Sequence, residues 1–222
     1  MLNKFWDFIF PPFCVACNRP GEWWCGKCRG GVHLVKNKIC PRCLTIGEHE
    51  CEGDLPFGEV ILFGFYHDPK LRALITKLKF SGVTVLKSDL IAFLKAQNDV
   101  VIDAGAVLVP MPLASHRLKE RGFNQAGFVA EVLSEAFGWS NVIDSEVLER
   151  FVHSDPQSSL EHDLALRSKH INGAFKVVKR PPAHVVLIDD VVTTGATAAE
   201  AVRTLKSAGA ERVDLVTLAV GA

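Results

Sequence analysis

Asp189 and Asp190 form an adjacent carboxylate pair between the aliphatic run Val185-Val186-Leu187-Ile188 and the segment Val191-Val192-Thr193-Thr194-Gly195-Ala196-Thr197. Such an aliphatic run reads as a strand covered on both faces, and ligands of open parallel sheets bind at the carboxyl ends of such strands. The small, hydroxyl-bearing segment then leads straight into a helical pattern. Amides at a helix N-terminus plus threonine hydroxyls make a cradle for an anion, and Gly195 lets the backbone come close. Carboxylate oxygens accept from sugar hydroxyls while amides hold a phosphate, so the combination suits a sugar phosphate. Neither GxGxxG nor GxxxxGK[ST] occurs, which argues against a dinucleotide or ATP site.

The second concentration of chemistry is sulfur. Cys14-x2-Cys17 and Cys25-x2-Cys28 are two knuckles, each able to turn both thiolates toward one ion, and together they complete a tetrahedral zinc set. Metal binding would supply folding energy that so short a segment cannot draw from a core of its own. A redox CxxC would explain one such pair but not a series. Cys40, Cys43 and Cys51 repeat the first three positions, while the fourth slot holds Asp54, with His49 nearby as another candidate ligand. Three sulfurs with one oxygen or nitrogen can still hold zinc; a hairpin that has lost its metal is the other expectation. A catalytic zinc is disfavoured, because no open coordination position or neighbouring base is implied. Trp23 and Trp24, with Lys27, Arg29, Lys36, Lys38 and Arg42 after them, could stack and neutralise a single strand. Packing against the ribbon or the next domain is the favoured expectation for these rings.

The elements that must carry these groups follow from periodicity. Val60 to Tyr66 predicts a strand, and Leu71, Leu74, Ile75 and Leu78, then Leu86, Leu90, Phe93 and Leu94, recur at helical spacing. Val107-Leu108-Val109 predicts a short strand stopped by Pro110 and Pro112, and Phe123 to Phe137 a helix ending before Gly138. After Val185–Ile188 come a helix over Thr197–Ala208, stopped by Gly209, and a strand over Val213–Val220. This alternation implies an α/β fold with a parallel sheet.

The chain has 222 residues, enough for one full domain and a small module. Lysine plus arginine equals aspartate plus glutamate at 25 each, so any nucleic-acid contact must be local. All seven cysteines lie at or before Cys51, which disfavours a disulfide-dense secreted domain. The apolar start Met1–Pro12 carries Asp7, ends in Pro-Pro and lacks a small-x-small cleavage pattern. No unbroken apolar stretch is long enough to span a membrane. A soluble, cytoplasmic protein with reduced thiols and no membrane insertion is expected.

Val185 to Thr197 resembles, over its full length, the phosphoribosyl pyrophosphate (PRPP) binding motif of type I phosphoribosyltransferases. The resemblance implies that Asp189 and Asp190, the catalytic candidates, contact the ribose 2′- and 3′-hydroxyls. It implies that the PRPP site continues through Val191, Thr193, Thr194, Gly195, Ala196 and Thr197, with Thr193–Thr197 around the 5′-phosphate. It also implies Mg²⁺ bridging pyrophosphate and ribose oxygens. Pro110-Met111-Pro112 and His116-Arg117-Leu118-Lys119-Glu120-Arg121-Gly122-Phe123-Asn124-Gln125-Ala126 look like a block of ComF-type proteins. Gln157-Ser158-Ser159-Leu160, Arg167, Gly173-Ala174-Phe175, Lys77-Leu78-Lys79-Phe80 and the opening Phe10-Pro11-Pro12-x-Cys14-x2-Cys17 are similar to the same group. Departures are Asp54 in place of the last ribbon cysteine, His170 in place of Asn, and about two extra residues between Leu160 and Phe175, in the neighbourhood of a flexible active-site loop around Ser154–Arg167.

The expected architecture is a zinc-ribbon module over residues 1–56 and a type I phosphoribosyltransferase domain over 57–222. Arg117, Arg121, Asn124 and Gln125 are candidates for the pyrophosphate side. His116 and Lys119 are further cations there, with a solvated helix start as the equal alternative for the basic run. Phe123 is expected to be buried beside the polar donors. No residue stands out as a general base. The expected function is phosphoribosyl transfer to an unidentified acceptor, or PRPP sensing without transfer. By the resemblance, the setting is DNA uptake, with single-stranded DNA or competence and recombination proteins as partners. Sugar-acid uptake is a further role of similar proteins.

Overall fold

The structure is a computed structural model that describes residues 11–80, 83–97, 100–151 and 173–221. Met1–Phe10, the Ser154–Arg167 loop and His170 lie outside the described residues.

The head is built from one unit used twice. In the first knuckle the Asn18 amide donates to Cys14 O and the Cys14 amide to Arg19 O, both at 2.8 Å. In the second, Leu44 donates to Cys40 O at 2.8 Å and Cys40 to Thr45 O at 2.9 Å. The residue after each second cysteine is left-handed, with φ 60° at Asn18 and 63° at Leu44. A short helix α1 (Gly26–Gly30) carries Cys28 and ends the first ribbon.

The body is a four-stranded sheet. Strands β1 (Val60–Phe65), β2 (Val107–Pro110), β5 (His184–Val192) and β6 (Arg212–Val220) run parallel in the order β1-β6-β5-β2. Helices α2 (Pro69–Phe80), α3 (Val83–Lys95) and α5 (Gln125–Phe137) supply the core on one face, where Leu74, Leu90 and Val129 meet Val186 and Ile188. Helix α6 (Ala196–Ser207) and a hairpin of β3 (Leu148–Arg150) and β4 (Phe175–Val177) cover the other, against Val185 and Leu187. Both faces are therefore dry, and Val185 through Ile188 are all fully buried, as their unbroken aliphatic run predicts.

Several boundaries differ from the sequence expectation. Strand β5 runs on through Asp189 and Asp190 to Val192, so the two acids belong to the strand. Their partners lie on one side only, Asp189 opposite Thr217 of β6, because pairing with β2 stops at Pro110–Ile188. Strand β2 ends at Pro110, which is its last residue and pairs with Ile188, so the expected stop falls one residue later than Val109. The basic run forms a separate helix α4 (Ser115–Arg121), ended by Gly122 at φ 77°, and α5 starts at Gln125 rather than Phe123. The β3–β4 hairpin was invisible in the pattern, because three-residue strands are too short to show a period.

Trp24 is fully buried, with its ring 5.1 Å from Phe93 of α3. Its amide donates to Asp89 Oδ2 at 2.9 Å, and Arg29 pairs with the other oxygen. The tryptophan thus fixes the first ribbon to the body, while Trp23 remains partly exposed. Asp68, also buried, caps α2 through the Lys70 amide and accepts the His33 amide from the ribbon's tail. Burial alone would raise its pKa, but those two amides and the Lys70 charge hold the carboxyl below its ordinary value. No helix among the described residues is long and apolar enough to cross a membrane.

Candidate functional site

Where β5 outruns β2, a pocket of about 260 Å³ opens at the carboxyl end of the sheet. Its floor is Asp189–Thr193, one wall is Gly195–Ala198, and the opposite wall is Met111–Leu113 with Asn124–Ala126. Lys79, Arg117, Arg121 and Arg150 stand around these groups, four cations to two carboxylates.

The acids are held in different ways. Asp190 has Lys79 Nζ at 3.3 Å, and the same ammonium lies 5.8 Å from the Tyr66 ring centre. Asp189 Oδ1 accepts the Asp190 amide at 2.8 Å. Burial, and then the charge of Asp190, push the Asp189 pKa up to about 8, against the opposing pull of that amide and Lys79. An acid raised in this way favours a neutral group or a nearby cation.

On the facing wall, helix α6 begins with Gly195 at φ 77° and no side-chain cap. The leading amides of any helix lack intrahelical partners and carry the positive end of its dipole, and here only the Ala196 amide has a long side-chain contact, to Thr194, among the described residues, so this end can take an anion. Gly195 is required there: a Cβ would sit 2.9 Å from Leu44 Cδ1 and 3.2 Å from Leu55 Cδ1, in a left-handed conformation that side chains disfavour. Thr193 and Thr197 line the pocket. Thr194 is exposed, with its Oγ1 turned back toward the Ala196 amide at 3.4 Å.

The segment Arg121-Gly122-Phe123-Asn124-Gln125 has a local logic of stop, turn and start. Gly122 closes α4; the Asn124 side chain caps α5 by accepting the Ala126 amide at 3.1 Å and donates to Met111 O at 3.0 Å. Asn124 thereby ties α5 to the chain leaving β2. Gln125 is 2% exposed, and its Nε2 has no hydrogen-bond partner among the described residues. A buried amide without an acceptor costs about 1–3 kcal/mol, and in a pocket wall it is a donor ready for a ligand oxygen. Phe123, expected to be buried, is half-exposed, because the turn between the two helices lies at the surface. His116 and Lys119 are exposed on α4 and do not reach the pocket, whereas Arg117 and Arg121 do.

Arg150 enters from β3, 5.5 Å over the Phe175 ring. Its burial, and then the charge of Arg117, lower its pKa, while Asp189 opposes the shift. Two arginines that repel one another at a pocket mouth are relieved by an anion between them.

The cysteines gather into two four-ligand sets. Cys14, Cys17, Cys25 and Cys28 form one, with Cys17 Sγ 3.7 Å from Cys25 Sγ. Cys40, Cys43, Cys51 and His49 form the other, with 3.4 Å between the Cys40 and Cys51 sulfurs and 3.0 Å from Cys43 Sγ to His49 Nε2. Metal–sulfur bonds of ~2.3 Å give tetrahedron edges of about 3.8 Å, so both sets fit zinc. The fourth side chain gathered into the second set is His49; Asp54 is exposed and outside it. The His49 Nδ1 lies 3.1 Å from Gly47 O, and donation there leaves Nε2 free to bind metal. Complete sets of four suit structural zinc.

Residues 5–56 match the double zinc ribbon domain and residues 152–222 the phosphoribosyl transferase domain. The chain is 26% identical to Competence protein F of Haemophilus influenzae over 224 residues, 88% of this chain and 96% of that protein. It is 29% identical to the DNA utilization protein YhgH of Escherichia coli K12 over 222 residues, 92% and 95% of the two chains. With Competence protein ComFC of Bacillus subtilis it shares 30% identity over 207 residues, 86% of this chain and 81% of that one. The chain belongs to the ComF family.

For this ComF chain, sequence reasoning had not given Lys79 or Arg150 a part in the pocket. Lys79 stands in the Lys77–Phe80 block, at the end of α2, and its helical spacing from Ile75 was the only signal for its position. Arg150 carried none, since it arrives on a three-residue strand.

Proposed function

We propose that the pocket at the end of β5 binds PRPP and supports phosphoribosyl transfer. The reading rests on one observation: two carboxylates and a helix N-terminus that starts on a side-chain-free glycine share a single pocket with four cations among the described residues. In this reading Asp189 and Asp190 accept from the ribose 2′- and 3′-hydroxyls. The turn Thr193–Thr197, through its amides and the hydroxyls of Thr193 and Thr197, holds the 5′-phosphate. Arg117, Arg121 and Arg150 meet the pyrophosphate, and Gln125 Nε2 donates to one of its oxygens. Residues 1–56 are the ribbon module and 57–222 the transferase domain.

Transfer breaks the bond from C1 to the pyrophosphate oxygen, which leaves with the electron pair, and forms a bond from C1 to the acceptor, which loses a proton. Charge collects on the leaving group, so the arginine arc does the main electrostatic work. Holding the ribose at two hydroxyls and the phosphate at its far end fixes C1 for attack. The described lining contains no histidine or glutamate. With Asp189 already mostly protonated near neutral pH, the acceptor in this reading brings a readily ionised nitrogen and releases its proton to solvent. The carboxylates of the described lining, Asp189 and Asp190, suit magnesium that would arrive on substrate oxygens and there neutralise pyrophosphate charge.

A second reading is a PRPP-sensing factor without transfer, working in the cytoplasm on single-stranded DNA or with competence and recombination proteins. The names of the relatives favour a role in DNA handling, and Phe13 and Trp23 are exposed beside Arg72 and Lys77. Calorimetric titration with PRPP, with and without Mg²⁺, followed by a screen of acceptor bases for pyrophosphate release, separates the two. Release supports transfer. PRPP binding without release, together with salt-sensitive DNA binding, supports the second reading, and absence of PRPP binding contradicts both.

A further inference from the structure

The second ribbon touches the body at the turn that leads into α6. Leu44 follows the ligand Cys43 directly, is 7% exposed, and belongs to the same apolar cluster as Phe57, Val192 and Ala198. Its Cδ1 faces the open side of Gly195, so close that a Cβ there would come within 2.9 Å. Leu55 packs on the same glycine, and its amide donates at 2.9 Å to the carbonyl of Arg42, inside the second knuckle. The wall behind the turn is thus part of the knuckle itself.

We propose that Leu44 is a positioning residue for the turn Thr193–Thr197, and that zinc in the second site and a sugar phosphate in the pocket bind cooperatively. The inference rests on the phosphate-cradle reading above and adds a coupling to it. Leu44 is held at φ 63°, a conformation unfavourable for a residue with a Cβ, by its bond to Cys40 O within the knuckle. Coordination by Cys40, Cys43, His49 and Cys51 keeps that knuckle closed. Without the metal it opens, Leu44 leaves the left-handed region, and the turn loses its backing. The first ribbon is the internal control, because Trp24 and Arg29 anchor it to Asp89 of α3 instead.

Coupling of this kind is reciprocal, and typical allosteric factors are about 5- to 150-fold. The test uses full-length protein carrying two zinc ions, with ribose 5-phosphate and inorganic pyrophosphate as probes. Leu44→Ala is expected to weaken ribose 5-phosphate binding about five- to twentyfold. Pyrophosphate affinity should stay within about twofold, since that end of the pocket does not rest on Leu44. Leu44→Met should restore the phosphate affinity. The second arm needs no packing variant. Saturating ribose 5-phosphate should raise zinc affinity, by competition with a chromogenic chelator, only at the site that His49→Ala removes. Equal ribose 5-phosphate affinity in wild type and Leu44→Ala, or second-site zinc affinity indifferent to the sugar phosphate, would overturn the coupling and leave the phosphate site standing. Failure of ribose 5-phosphate to bind wild-type protein would overturn the cradle reading and the coupling with it.

Discussion

Replacing Gly195 by alanine probes the join between ribbon and pocket with a single methyl group. Two costs arise. The residue sits at φ 77°, and a Cβ in the left-handed region costs roughly 1–2 kcal/mol. The new methyl also meets Leu44 Cδ1 at 2.9 Å and Leu55 Cδ1 at 3.2 Å. Both are ends of flexible side chains, so overpacking falls at the low end of its range, about 1 kcal/mol. The sum is about 2–3 kcal/mol. At about 2–4 °C per kcal/mol for a chain of this size, Tm should fall by roughly 4–12 °C. The turn yields more easily than the sheet behind it, so PRPP affinity should also fall, by at least about tenfold, equivalent to roughly 1.4 kcal/mol. Thermal unfolding by circular dichroism and calorimetric titration read the two effects. A Gly195→Ala protein with unchanged Tm and affinity would refute the close approach of ribbon and turn.

Three further outcomes follow from the same geometry. His49→Ala should reduce bound zinc from two ions per chain to one by elemental analysis, while His49→Cys keeps both; two in the alanine variant would exclude His49 as the fourth ligand. Asp189→Asn should stabilise the ligand-free protein at pH 8 and above. With its folded pKa raised to about 8 from 3.8, the group is protonated in both states at low pH, so it contributes nothing there. Between those values the unfolded chain ionises and the folded one does not, so stability falls as pH rises through that window. Tm measured from pH 4 to pH 9 should show the two proteins diverging upward, and parallel curves would contradict the raised pKa. Gln125→Met removes a buried donor that has no partner among the described residues, and should leave Tm unchanged or higher while weakening pyrophosphate binding about tenfold. A large loss of Tm would mean that Gln125 has a partner in the folded protein.

The parts of the fold that were legible in the sequence are those with a strong period or a full donor set. Val185–Ile188 announced a buried central strand, and the spacings of Leu71–Leu78 and Leu86–Leu94 announced two helices, because burial at 3.6- or 2-residue periods leaves a direct mark. The first cysteine set was readable for the same reason, as a repeated CxxC. The choice between His49 and Asp54 was not, since it depends on which way a short loop folds back over Cys43. Arg150 came to the pocket through tertiary placement alone, while Lys79 carried only the helical spacing that sets it on the face of Ile75. The contact of Leu44 with Gly195 joins positions far apart in the chain, one in each half of the molecule, and no local pattern encodes it.

In the proposed function Asp189, Asp190 and the turn at the start of α6 form one receptor for a phosphorylated ribose. A crystal structure of the protein soaked with PRPP and Mg²⁺ tests it most directly. Ribose hydroxyls are expected on the two carboxylates and the 5′-phosphate against the amides of Thr194–Thr197. Density for the sugar phosphate elsewhere on the molecule, with the turn unliganded, would contradict it.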